Sequence, residues 1–318
     1  MKKPVSLLLL FLTLTVARAH ATTWNEPWVD KVIRSSTSFV LAKVISSDPE
    51  KGVKISVIRA LGGKTLKDSL VITGFSLLEI CSISGEHGPE FRIAEADSCF
   101  FFISQAKDGK YCIATPTTGF DYVRDGKVRA SYRHSYHQAL VPFEVYEKTM
   151  TAVFNHYHGL PFDKDYLSKF VSEQLSKAPA GFGEEEISTF FLQHVAMECV
   201  YHLRLKVDEN LLLPFLNDPE NSHNNISAAR ALAAANTGTS KQALLKIIND
   251  PKQTTFLQVI CIWSLAEYQP AELKDQLQKA VASASEESND FGGNIMDPRV
   301  CTSIPSVKEA LHTLVVKL

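Results

Sequence analysis

The stretch Leu213-Pro214-Phe215-Leu216-Asn217-Asp218-Pro219 returns as Leu245-Lys246-Ile247-Ile248-Asn249-Asp250-Pro251, 32 residues further on. Asn-Asp-Pro is a physical stop: proline has no amide proton to continue a helix, and it biases the residue before it away from helical angles. A helical run follows each stop, Ile226 to Asn236 and Thr254 to Tyr268. One helix pair therefore lies between the stops, broken at Asn236-Thr237-Gly238, with Thr239 or Ser240 placed to cap its second helix. A two-helix unit of about 30 residues exposes an apolar face that only a neighbouring unit can cover, so such units stack.

Outward from this repeat the helical pattern continues in both directions. Upstream, Ile187, Phe190, Phe191, Val195, Cys199, Val200 and Leu203 line one helix face, behind Glu184-Glu185-Glu186, which suits a helix start. Before it, Pro142 to His158 and Phe162 to Ala178 read as two more helices, closed by Ala-Pro-Ala-Gly-Phe-Gly. Downstream the pattern departs: Pro270 to Ala284 is helical, but no Asn-Asp-Pro follows. Ser283 to Asn294 is polar and small, Met296-Asp297-Pro298 ends it, and Ser306 to Leu318 is the last helix. A long loop between stacked helices either sits on a functional edge or is simply solvated.

The front of the chain has the period of strands instead. Phe39-Val40-Leu41-Ala42-Lys43-Val44-Ile45 reads as a buried strand, and Val53 to Arg59 alternates apolar and polar. Gly62-Gly63 breaks that run and Leu70-Val71-Ile72-Thr73 resumes it. Cys99 to Ile103 and Tyr111 to Ala114 flank Asp108-Gly109, a hairpin turn, and Asp125-Gly126 marks a second one. Five or more short strands behind a helix from Trp28 to Ser35 predict a small closed or half-closed barrel.

The order helix, VLAKVISS, turn, VKISVIRALGGK, LVITGF, a cysteine-bearing loop, CFFFIS and GKYCIA resembles the OB-type barrel of the netrin module and the tissue inhibitors of metalloproteinases, over residues 24 to 130. In the animal inhibitors an N-terminal cysteine chelates the protease zinc. Here the expected mature chain starts at Thr22 and the first cysteine is Cys81, so that mechanism does not carry over. Residues 186 to 318 resemble the short HEAT-like repeats related to phycobilisome lyases. The fold expected is thus multidomain, an all-β OB-like barrel (22–131), a helical junction (132–183) and an all-α HEAT-like solenoid (184–318).

Residues 1–21 read as a cleavable export signal: Lys2-Lys3, the 12-residue apolar run Val5 to Val16, then Ala19-His20-Ala21. The run is too short to span a bilayer, which takes about 20 residues. The signal resembles a bacterial one without a lipid-attachment cysteine, which implies a periplasmic or secreted protein. No later stretch promises a membrane span. A formal net charge of −2, without a Lys/Arg run longer than two, argues against nucleic acid as a partner. An oxidising compartment permits disulfides among the six cysteines, and a Cys81–Cys99 bridge closing a loop between strands is the pairing expected; Cys199 and Cys261 fall in apolar helical stripes and read as packed thiols.

Candidate chemistry is sparse. His194, Glu198 and His202 share a helix face four residues apart, a spacing that serves a metal or an exposed helix. His134, His137, His156 and His158 gather with Tyr132, Tyr136, Tyr146 and Tyr157 around the junction, as a zinc or copper set or an aromatic seam. The seam is the reading adopted, with no metal, cofactor or catalytic residue assigned. Gly62-Gly63-Lys64-Thr65 lacks the first glycine of a phosphate loop, Ile58 standing there instead. Asn225-Ile226-Ser227 matches a glycosylation acceptor, and Trp24 and Trp28 are expected to pack on the barrel. The function expected is a non-enzymatic exported protein that binds or scaffolds a protein partner. A regulator of an extracellular protease, or a metal protein using the histidine-rich junction, is the alternative.

Overall fold

The computed structural model describes residues 22–81, 88–95, 97–133, 138–287 and 299–318. The export signal, His134 and His137 lie outside the described residues. Five strands close a barrel: β2 (Ser38–Asp48), β3 (Gly52–Gly63), β4 (Ser69–Phe75), β6 (Ser98–Gln105) and β7 (Tyr111–Ile113). Neighbours run β2-β3-β4-β7-β6 and return to β2; β4 and β7 are parallel and the other pairs antiparallel. The sheet continues past β6 through β8 (Phe120–Arg124), β9 (Lys127–Ala130) and β10 (Ala139–Pro142). Both Asp-Gly turns stand where the sequence puts them, with Gly109, Asp125 and Gly126 all at positive φ.

Gly62-Gly63 are the last two residues of β3, still paired with Phe39 and Ser38, and the next strand begins at Ser69. They also serve a close approach. A Cβ at Gly62 would meet the Phe154 ring at 2.6 Å, and Gly63 sits at φ +79° against the Thr37 carbonyl. The glycine pair lets a helix press onto the barrel wall.

That helix, α2 (Phe143–Tyr157), belongs to a core continuous with the barrel's outer face. Strand alternation sends Val40, Ala42, Val44, Cys99, Phe101 and Ile103 into the barrel. The intervening Phe39, Leu41, Phe100 and Phe102 point the other way, into one large cluster with the helices. Phe39 stacks on Phe102 and Phe154 at 4.6 and 5.7 Å between ring centroids.

Ten α-helices occur among the described residues. The first, α1 (Val29–Ser35), precedes the barrel. After α2 come α3 (Lys164–Leu175), α4 (Ile187–Leu203), α5 (Leu213–Leu216), α6 (Ser222–Leu232), α7 (Gly238–Ile248), α8 (Thr255–Ala266), α9 (Lys274–Ser283) and α10 (Val307–Lys317). They layer in order: α4 packs on α6, α6 on α8 and α8 on α10, while α3, α5, α7 and α9 each back the next of these. Capping differs from expectation at one point. Thr237, not Thr239 or Ser240, is the N-cap of α7, and Ser240 returns the bond as the third residue of a capping box.

The two Asn-Asp-Pro stops are held by the same device. The Asn225 amide nitrogen donates to the carbonyls of Leu216 and Asp218 at 3.0 and 2.9 Å, and also to that of Phe215. One unit on, the Gln258 amide donates to Ile248 and Asp250 at 3.0 and 3.1 Å. These satisfy carbonyls that a helix end leaves orphaned. Asn225 is 9% exposed with its nitrogen engaged, so the sequon is structural.

Residues 184–318 also contribute a strand, β11 (Val300–Cys301). It lies beside β1 (Trp24–Asn25), which pairs on its other edge with β5 (Glu79–Ile80). The disulfide sits here and joins Cys81 to Cys301, which corrects the Cys81–Cys99 pairing. Cys99 is a free, fully buried thiol, because the alternation of β6 aims it into the barrel interior. Cys199 and Cys261 are free and buried as well. No described helix is long and apolar enough to cross a membrane.

The bridge closes a sequence separation of 220 residues. Chain entropy then predicts a loss of about 2–5 kcal/mol for Cys81→Ser with Cys301→Ser, read by urea denaturation. Peptide mapping under non-reducing conditions is expected to recover Cys81 linked to Cys301, with Cys99 alkylated only after unfolding.

Candidate functional site

The stripe His194, Glu198, His202 is not an exposed helix face, as its spacing suggested; all three are at most 1% exposed. The helix α4 is apolar nearly all round, since it packs on α2, α3, β10 and α6. Each polar member of the stripe is therefore met by a specific partner. His194 Nδ1 is 2.9 Å from the Ser227 hydroxyl. His202 Nε2 lies 2.8 Å from the Tyr132 carbonyl, which can only accept, so Nε2 carries the proton. Nδ1 then accepts from the Tyr157 hydroxyl at 2.8 Å. Burial, then the Arg230 charge, holds His202 down at about 3, so its approach to Glu198 at 3.5 Å joins a neutral ring to a carboxylate.

The charged partner of Glu198 is Arg230 on α6, at 3.3 Å. Sequence reasoning passed over Arg230, whose surroundings in α6 are small alanines, and no signal marked it. Its guanidinium lies 4.0 Å from the Tyr201 ring centroid and 5.0 Å from that of Trp28. Trp28 in turn meets Trp263 edge-on at 5.9 Å. Together with Asp30, Ile260, Ser264 and Glu267, these residues wall a cleft of about 330 Å³. Its position follows from the fold. Helices α4, α6 and α8 lie side by side, and the start of α1, held by the Val29 amide bonding the Arg133 carbonyl, lays Trp28 and Asp30 across them.

Arg230 is 7% exposed, and the bond to Glu198 is its one hydrogen bond among the described residues; its Nε has no acceptor. A guanidinium has five N–H donors, so most of its capacity is unspent. Glu267 is paired to Arg204, which itself lies over Tyr201 at 4.9 Å. The cleft thus has aromatic walls, a buried cationic floor and carboxylates beside it.

The other candidates disperse. His158 Nε2 reaches the Ile33 carbonyl at 3.1 Å and its ring stacks on Phe154, while His156 sits edge-on to Phe162. Among the described residues no group of three or more His, Cys, Asp or Glu is placed to hold a metal. Gly62-Gly63-Lys64-Thr65 ends a strand with no helix after it. Trp24 is buried in β1, bonded through its indole N–H to Thr117 at 3.0 Å, whereas Trp28 opens on the cleft. No protein-family model, curated protein or solved structure matches the chain.

Removing one partner of a buried ion pair leaves an uncompensated charge, at about 3–5 kcal/mol. Glu198→Leu alone is expected to destabilise by that amount, and Glu198→Leu with Arg230→Met by markedly less, in a double-mutant cycle followed by urea denaturation.

Two buried groups also set opposite pH trends. Between about 3 and 6.5 the unfolded chain protonates His202 while the folded chain refuses the proton. Stability from this group is complete above 6.5 and falls by up to about 1.4 kcal/mol per unit on acidification. Asp121, which accepts from the Tyr146 hydroxyl at 2.5 Å and the Ser131 amide, is pushed up to about 7 by burial. The folded chain keeps its proton between 3.8 and 7 while the unfolded chain releases it, so stability falls as pH rises through that window. Between pH 4 and 6.5 the two trends oppose each other, so in stability measured from pH 4 to 7 His202→Gln is expected to leave a fall as pH rises and Asp121→Asn a rise up to about 6.5.

Proposed function

We propose that the chain is an exported, non-enzymatic recognition protein, in which an OB-type barrel and a HEAT-like stack of helix pairs form one rigid receptor for a protein partner. The single observation that carries this is the cleft between Trp28, Tyr201, Arg230 and Trp263. It is concave, aromatic and polar at its floor, which is the make-up of a binding site. It is also walled jointly by Trp28 and Asp30, from the segment ahead of the barrel, and by residues of α4, α6 and α8.

The finer assignments have their own support. For the barrel it is the strand path β2-β3-β4-β7-β6 with its single parallel pair. For HEAT-like stacking it is the inner series α4, α6, α8, α10 and the amide clamp that recurs at Asn225 and Gln258. For export it is the Cys81–Cys301 disulfide, a bond that persists in oxidising compartments, together with the signal-like first 21 residues.

A photoreactive amino acid placed at Trp263 tests the reading in the native cell envelope. A discrete adduct with one polypeptide is expected, lost when Tyr201 is replaced by Ala. Capture that is the same from an exposed site remote from the cleft, such as Val316, counts against it.

A further inference from the structure

We propose that this cleft receives the C-terminal residue of a partner polypeptide, its carboxylate seated on Arg230 and its side chain held between Trp28 and Trp263. The proposal deepens the recognition reading and rests on it. It begins from a cost. Arg230 is 7% exposed and makes one hydrogen bond of 3.3 Å, through Nη2. Its Nε is sealed without an acceptor, and Nη1, which is not sealed, has no hydrogen bond among the described residues and is the donor left for a ligand. Buried donors left unmade are expensive, of order 1–3 kcal/mol each and more on a charged group. A planar guanidinium is matched best by a planar, bidentate acceptor, and a carboxylate is that acceptor.

The walls limit what carries the carboxylate. Trp28, Tyr201, Trp263 and Ile260 present apolar surface, so the group next to the anion is an apolar or aromatic side chain. Asp30 lines the same cleft, and its carboxylate has no ion pair or hydrogen bond among the described residues. A simple anion would be repelled there. A terminal residue is different, because it offers a backbone N–H next to its carboxylate and so meets both Arg230 and Asp30. Glu267 is spoken for by Arg204 and adds no free charge. A space of about 330 Å³, walled by α1, α4, α6 and α8, suits the end of a chain better than a segment passing through.

Trp28 and Trp263 also make the site its own reporter. The full chain is titrated with N-acetyl-Gly-Gly-Phe and N-acetyl-Gly-Gly-Leu as free acids and as C-terminal amides, followed by tryptophan emission and calorimetry. Saturable binding of the acids, at least tenfold weaker for the amides, is the result expected. Arg230→Lys keeps the charge facing Glu198 but loses the fork, and is expected to weaken the acids at least tenfold with the melting midpoint retained. Should that variant fail to fold, Trp263→Ala removes a half-buried wall without touching the ion pair and is expected to weaken the acids too. Asp30→Asn is expected to leave peptide acids bound, since an amide oxygen still accepts an N–H.

Equal binding of acids and amides overturns the proposal, as does the absence of binding by any probe. Binding of N-acetyl-Gly-Glu-Gly amide as tight as that of the acids would assign the site to internal acidic side chains. Free phenylalanine binding in place of the peptides, and lost in Asp30→Asn, would assign it to a small zwitterion. If the Trp263 crosslink still captures a partner while the acids fail, recognition stands and only the carboxylate assignment falls.

Discussion

Two strands are buried on both faces, and the rest of the molecule is arranged around that constraint. In β2 and β6 every residue from Phe39 to Ala42 and from Cys99 to Ile103 is buried. Half of them fill the barrel and half fill the helical core, so neither body can be peeled away without exposing a row of phenylalanines. Fully burying such a side chain is worth about 1.5–3 kcal/mol. Phe39, Phe100, Phe102 and Phe154 therefore weld the barrel to the helices more firmly than any linker composition would suggest. The bridge from Cys81 to Cys301 repeats the same theme covalently, tying the loop after β5 to the strand before the last helix.

That weld determines where polar groups end up. Once α4 is pressed between β10, α2, α3 and α6, its stretch from Gln193 to Val200 is buried all round, and His194, Glu198 and His202 need partners from neighbouring elements. Ser227 and Arg230 come from α6, Tyr157 from α2, and the Tyr132 carbonyl from the junction. The histidines are kept neutral and the glutamate is matched by a single arginine. Buried ion pairs contribute little net stability against an apolar replacement. The Glu198–Arg230 pair is thus poorly explained by stability alone, and its position at the floor of an aromatic cleft accounts for it better.

What could be read from sequence was whatever depends on local rules. The Asp-Gly turns, the strand periods and the two Asn-Asp-Pro stops each follow from backbone chemistry within a few residues. The stop motif even located helix ends to within a residue or two, because proline acts where it stands. Features requiring two distant segments were not legible. Cys301 is drawn to Cys81 by β11 adding to β1, a two-residue parallel pairing with no sequence signature. The His194–Glu198–His202 spacing is equally compatible with an exposed and a buried face, and only the all-round packing of α4 decides between them. Gly62-Gly63 do close their strand as read, yet these glycines also serve a close approach, and Phe154 is 92 residues away in the chain.

The cleft shows why a site can be invisible at every local level and still be built in. None of its residues belongs to a motif, and they come from four helices spread between Trp28 and Glu267. What assembles them is the packing of α4 on α6 and of α6 on α8, which brings Tyr201, Arg230 and Trp263 to one cleft. Trp28 and Asp30, from the segment ahead of the barrel, supply the fourth wall. The cleft is thus shared between the segment ahead of the barrel and the helices, with Arg230 held from the helical side by Glu198 and Tyr201 and from the other by Trp28.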